Sequence, residues 1–338
     1  MKKEMRCMSV VRLFVILSIF ILAFSGCTIS DIRGSGGSSK GGSSGKMGFD
    51  PYTGTGGLEM SFAPGTPPPI VYANANDEIP LIIELRNKGA EPIRQGAIQL
   101  FMTGFDPNIV HGLSTAPMAA PVNSDLPPVS EFNSEGGFDV FGSKGEFSIR
   151  DVYLPPATDH YTPTLNLIAC YPYATHASAT ICIDPDPYSI EQESKICQVN
   201  DISLSGGQGA PLVVTKIEHE IVPGQKMMFK IHVENKGNGR VVSDPSFSCE
   251  KTLEYNEIDS IDVLNTNIIV GAGSISVDSV KPEKLKLVNG KGVIYAEAQP
   301  AFGQDREYTT PIQVNLYYGY KTSITQQLNI KNIGNRGY

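Results

Sequence analysis

Apolar residues recur at every second position through much of the chain, and this period most narrowly limits its fold. Leu81, Ile83 and Leu85 alternate with Ile82, Glu84 and Arg86; Met227, Phe229, Ile231 and Val233 alternate with Met228, Lys230, His232 and Glu234. Side chains on an extended strand point alternately to its two faces, so both segments read as strands with one apolar face. Past residue 56 no amphipathic helix of twelve or more residues is legible. Both strands end in one turn sequence, Asn87-Lys88-Gly89 and Asn235-Lys236-Gly237, whose Asn and Gly tolerate the positive φ that tight turns need.

Strands are expected after each turn, at Ala97–Met102 and Arg240–Phe247, and a weaker third copy stands at Leu328–Gly334. The repeat implies two related domains in tandem, each with its own core. In the second, Asn289-Gly290 between Lys284–Val288 and Lys291–Ala298 marks a type I′ hairpin. Thr309–Tyr318 and Ser323–Ile330 read as a closing strand pair. In the first, residues 105–135 are rich in Pro, Ser and small side chains and form a long loop, either an inserted segment or a contact surface. The 34 Gly and 24 Pro residues suit many turns. The expected fold class is therefore all-β: two tandem immunoglobulin-like β-sandwich domains, residues 57–205 and 206–338.

The N-terminus constrains location. Lys2, Lys3, Arg6 and Arg12 precede the apolar run Leu13–Phe24, which ends in Ser25-Gly26-Cys27. A basic segment, a short apolar segment and small residues form an export signal. The Ser-Gly-Cys end resembles a lipobox, which implies lipidation of Cys27; an uncleaved membrane helix and full secretion are the other readings of residues 1–27. Each leaves the basic residues inside and the rest of the chain outside. Residues 28–56 form a linker, and its Gly34–Lys46 stretch of Gly, Ser and Lys is a flexible tether. The net charge of −8 comes without a basic cluster past the N-terminus, which argues against a nucleic-acid partner.

Four further cysteines, Cys170, Cys182, Cys197 and Cys249, are even in number, as disulfides in an exported chain require. Cys182–Cys197 is the favoured pair; Cys170–Cys182, across a hairpin turning near Thr175-His176, is its rival, and the partners of Cys170 and Cys249 stay open. Asp184 and Asp186, in Asp-Pro-Asp-Pro, are weak calcium candidates beside the simpler reading of an acidic, proline-stiffened turn. His111, His160, His176, His219 and His232 fit no metal or catalytic spacing, and His219 and His232 fall at solvent-facing strand positions. Gly206-Gly207-Gln208-Gly209 is followed by no helix and reads as a hinge or bulge. Tyr317, Tyr318 and Tyr320 form the densest aromatic patch and read as core and edge packing. No catalytic residues and no cofactor are assigned.

Segments KMMFKIHVENKGNGRVV and IPLIIELRNKGAEPI resemble the CARDB-like, immunoglobulin-like modules of prokaryotic surface proteins. The pattern of a Cys-bearing hairpin, LSGGQGAPLVVTKIE and TPIQVNLYYGYKTSI is similar to a group of archaeal cell-surface lipoproteins. The resemblance implies fold and location and no ligand. The expectation is a non-catalytic, membrane-anchored surface protein serving adhesion or envelope assembly through protein or glycan contacts, with self-association as one form of assembly. A solute-binding lipoprotein is the alternative.

Overall fold

The structure, a computed structural model, describes residues 52–333 apart from 74, 76–77, 131–132, 143–146, 190–194, 223–225 and 300–305. The export segment, Cys27 and the Gly/Ser tether lie outside the described residues. Gly48–Tyr338 forms one compact unit. It is all-β, with 52% strand and 2% helix. Among the described residues, no helix is long and apolar enough to cross a membrane.

Two strands of 20 residues, Thr164–Ile183 and Tyr308–Gln327, organise the fold. They pair antiparallel over their full lengths, Thr164 opposite Gln327 and Ile183 opposite Tyr308. Alternation explains them: Leu165, Leu167, Ala169, Tyr171, Tyr173 and Ala177 are buried on one, Ile312, Val314, Leu316, Tyr318 and Tyr320 on the other. The turn expected near Thr175-His176 and the break expected between Tyr318 and Ser323 are absent, because both strands run straight through. Small and turn-forming residues there serve packing instead. Gly319 sits where a Cβ would lie 2.5 Å from the Phe247 ring.

The long strands are the centre of a six-stranded sheet that also carries Gln99–Thr103 and Met118–Ala119 from the first half and Arg240–Val242 and Thr266–Val270 from the second. The sheet Leu58–Phe62, Ile83–Asn87, Phe138–Phe141 and the five-stranded sheet containing Leu212–Val222, Lys226–Asn235 and Lys291–Ala298 send buried side chains into the same core as the long strands. Apolar side chains from Leu58 to Ile330 form one contiguous cluster, so the position expected to divide two cores, between 205 and 206, falls inside a shared one. The cause is the long-strand pairing, which welds the halves along 20 register positions.

The repeated Asn-Lys-Gly turns dock on that sheet in the same way. Asn87 Nδ2 donates to Glu91 O at 2.8 Å and Gly89 N–H donates to Asn87 Oδ1 at 3.1 Å. Asn235 Nδ2 donates to Gly239 O at 2.9 Å and Gly237 N–H to Asn235 Oδ1 at 3.2 Å. Each asparagine then accepts from a tyrosine on a long strand, Asn87 from Tyr173 at 3.3 Å and Asn235 from Tyr320 at 3.2 Å. The neighbouring tyrosines accept from backbone, Tyr171 from Leu58 N–H at 3.1 Å and Tyr318 from Leu212 N–H at 3.4 Å. The four rings pack around one another, with centroids 5.7 to 6.5 Å apart. Burial pushes all four phenols above their ordinary pKa, so they act as neutral hydrogen-bonding groups. The chain thus holds two copies of one clasp about the midpoint of the long strands, where Pro172 faces Gly319. The third sequence copy does not form it: Ile330–Asn332 pairs instead with Val71–Ala73 and with His160–Tyr161.

Two other expectations are modified. The Asn289-Gly290 turn forms, with φ of 52° and 77°, but its hairpin stops at the Val288–Lys291 bridge. Lys284–Lys286 turns away to pair with Ser260–Asp262, while Lys291–Ala298 joins Lys226–Asn235 and buries Ile294, Ala296 and Ala298. Core pairing outweighs the local turn preference. The described part of residues 105–135 is not a loose insertion. It contains the short strands Val110–His111 and Met118–Ala119, and Leu113, Ala120, Val122, Leu126 and Val129 are buried.

Cys182 is bonded to Cys197 and Cys170 to Cys249. Cys170 and Cys182 share one straight strand, about 40 Å apart at the rise of an extended chain, and cannot join. Cys249 belongs to a segment that interrupts the second half after Val242 and crosses onto the first, where its N–H donates to Gln99 Oε1 at 2.9 Å. With Cys170, Val242 and Phe247 it makes a small second core on the outer side of the sheet. Two disulfides fit an oxidising compartment.

Candidate functional site

The structure scatters most of the residues singled out by sequence. Asp184 is buried against Lys195, Nζ to Oδ2 2.6 Å, and the same ammonium donates to the Asp186 carbonyl. Asp186 N–H donates to Asp184 Oδ1 at 2.9 Å, closing the turn. A lysine therefore occupies the cation position beside the two calcium candidates, and among the described residues no group of three or more His, Cys, Asp or Glu side chains is placed to hold a metal ion. His232 faces outward and meets Glu218 at 3.0 Å. His219 does not face solvent: it is 7% exposed, stacked on Phe229 with centroids 5.9 Å apart, and its Nε2 meets Cys182 O at 2.8 Å. The cause is its register two residues from the buried Ile217 and Ile221. Gly206, Gly207 and Gly209 all have positive φ, and Gly207 bridges Gly54. Gln208 between them is buried, with both amide ends bonded to the Val214 backbone at 2.9 and 3.1 Å.

That glycine turn forms one wall of a cleft of about 520 Å³ whose floor is the pair of long strands. His176 and Ser178 come from one strand, and Asn315 and Gln313 stand directly opposite them on the other. Even-numbered residues of the first long strand and odd-numbered residues of the second face outward here, which is why four polar side chains share one surface. Tyr52, Thr53 and Ser205 complete the polar rim.

His176 is fixed on both ring nitrogens. Its Nδ1 meets Asn315 Oδ1 at 2.7 Å and its Nε2 meets Glu91 Oε2 at 3.1 Å, and Tyr317 packs edge-on with centroids 6.0 Å away. The Glu91 carboxylate raises the His176 pKa from its ordinary 6.5; partial burial opposes this and Asn315 adds to it. A carboxylate, an imidazole and a nearby serine are the ingredients of a nucleophilic triad. Here they do not make one. The base nitrogen that would take the serine proton is instead engaged by Asn315, so the imidazole orders an amide rather than a nucleophile. Asn315, its Oδ1 so held, keeps Nδ2 as a donor for the cleft.

The Glu91–His176 pair carries a pH prediction. A histidine whose pKa is raised by folding contributes stability that is complete below the unfolded value, near 6.5, and lost as pH rises through the folded value. His176 is 37% and Glu91 30% exposed, so solvent screens the pair and its effect is about 0.2–1 kcal/mol. The urea midpoint of the unaltered chain should fall as pH rises above that point, and Glu91→Gln should remove this component. Parallel pH profiles would contradict it.

A second cleft of about 530 Å³ lies beside the paired clasps and brings together Lys88 and Lys236, the lysines of the two repeated turns, with Glu59, Thr322 and Ser323. The sequence marked those turns as a repeat, but nothing in it placed both lysines at one cleft. Nor did it join Glu91 to His176, which are distant in the chain. Compared with known protein families and with curated proteins, the sequence matches none.

Proposed function

We propose that the chain is a non-catalytic cell-surface protein, anchored at its N-terminus, whose two immunoglobulin-like halves present binding clefts and loops for adhesion or envelope assembly. The observation that carries this is the disulfide-bonded all-β body following an export-type N-terminus and a Gly/Ser tether. Disulfides of this kind persist outside the reducing cytosol, and a tether of about 25 such residues reaches roughly 25–30 Å, enough to lift the body off a membrane. Lipidation of Cys27 is the anchor this reading favours. The His176 cleft adds to it: its histidine is consumed in ordering Asn315, which suits a surface that holds a ligand without transforming it.

Cross-linking of intact cells with mass spectrometry of the joined peptides tests the role. Reproducible links to an envelope protein or to a second copy of this chain are expected if assembly is mediated by protein. Links confined to cytosolic proteins would sink the proposal.

A further inference from the structure

We infer that the cleft beside His176 is a binding site for a neutral carbohydrate, one or two pyranose rings held by Ser178, Gln313 and Asn315. This rests on the surface-protein reading and adds to it a ligand class and a place.

Charge comes first. Among the described residues lining the cleft only His176 can carry a positive charge, and its partner Glu91 offsets it at 3.1 Å. Among the described residues no Lys, Arg, Asp or Glu lines it. An ionic ligand would enter without a counter-charge and lose hydration uncompensated. A polyol has no such cost.

Hydrogen-bonding capacity comes second. Sugar hydroxyls donate and accept, and so do amide and hydroxyl side chains. Ser178 and Gln313 are exposed and stand opposite one another, as do His176 and Asn315. Directly opposed residues on paired strands are roughly 4.5–5.5 Å apart, so the two polar rows are separated on the scale of one sugar ring. The Asn315 amide is oriented before any ligand arrives, because its oxygen is fixed at 2.7 Å from His176 Nδ1. The opposite wall is equally fixed, since Gln208 spends both ends of its amide on the Val214 backbone. Groups held in advance lose little entropy on binding.

Aromatic surface comes third. Tyr52, on the rim, is 57% exposed, and Tyr317, packed on His176, is 42% exposed. Exposed tyrosine carbon beside the polar floor is apolar area of the kind the C–H face of a pyranose can cover. The volume of about 520 Å³ lies within the range of small-ligand sites. The Lys88–Lys236 cleft differs in charge: two lysines and Glu59 line it, and Lys236 pairs with Glu234 at 3.8 Å.

Calorimetry and saturation-transfer NMR on the full chain in detergent test this, with neutral gluco-, manno- and galacto-configured oligosaccharides. A uronic-acid disaccharide and an acidic peptide serve as charged comparisons. At least one neutral sugar should bind. Replacing Ser178→Ala together with Gln313→Ala should weaken it about tenfold or more, about 1.4 kcal/mol, with the unfolding midpoint unchanged because both side chains are exposed. Asn315→Asp should weaken it as well. Binding of none of the neutral sugars, preference for the charged probes, or indifference to the double variant would overturn the site. Accessibility on intact cells is a separate readout, so failure of the sugar site and failure of the surface reading are distinguishable.

Discussion

Replacing Asn87 with alanine should lower the unfolding free energy by about 3–5 kcal/mol, whereas the same change at Asn235 should cost about 1–2 kcal/mol. The two residues occupy equivalent places in the repeated clasp, and burial separates them. Asn87 is fully buried, and its Nδ2 serves Leu126 O at 3.1 Å and Pro127 O at 3.3 Å besides Glu91. Its Oδ1 accepts from Gly89 and Tyr173. Alanine would strand several buried polar groups at once, each carrying a desolvation penalty of about 1–3 kcal/mol before relaxation. Asn235 makes three such bonds at a half-buried position, where water can replace it. Urea unfolding of the two variants is the measurement. Equal losses would mean that the clasps contribute as copies and that burial does not set their worth.

Loss of the Cys170–Cys249 disulfide should be nearly as costly, and more costly than loss of Cys182–Cys197. The first spans 79 residues and the second 15. Loop-closure entropy gives about 4.5 and about 3 kcal/mol respectively. The longer bond also fastens the segment that crosses from the second half onto the first. Its removal frees Cys249 from beneath Phe247 and beside Gln99, and loosens the small outer core. Paired Cys→Ala variants at each bond, compared by urea midpoint, should rank in that order. The reverse ranking would show that the crossing segment is held by its packing alone.

Much of the fold was legible in the alternation of apolar residues, because a half-buried strand leaves its period in the sequence. The strand Lys226–Asn235 is an example: its buried Met227, Phe229, Ile231 and Val233 are the residues that alternate. Strand length was not legible. Pro172, Thr175-His176 and Gly319 carry local turn chemistry, and the pairing of two long strands overrides it. The repeated turn was visible through Asn-Lys-Gly, but the single shared core was not, since it depends on register between strands far apart in the chain. The site was least legible of all. His176 looks isolated in sequence; Glu91 and Asn315 reach it only after the long strands pair and the residues after the first clasp fold beside them. At Asp184 and Asp186 the sequence did not show that Lys195, from beyond the turn, pairs with Asp184 and donates to the Asp186 carbonyl.

Labelling of intact cells with a membrane-impermeant, amine-reactive reagent is the most direct test of surface display. Lys291, whose side chain is 69% exposed, and Lys230, 53% exposed, are the reporting positions. Modification of both on intact cells, at the level reached after lysis, is the expected result. Modification that appears only after lysis would contradict surface display and, with it, the proposed role.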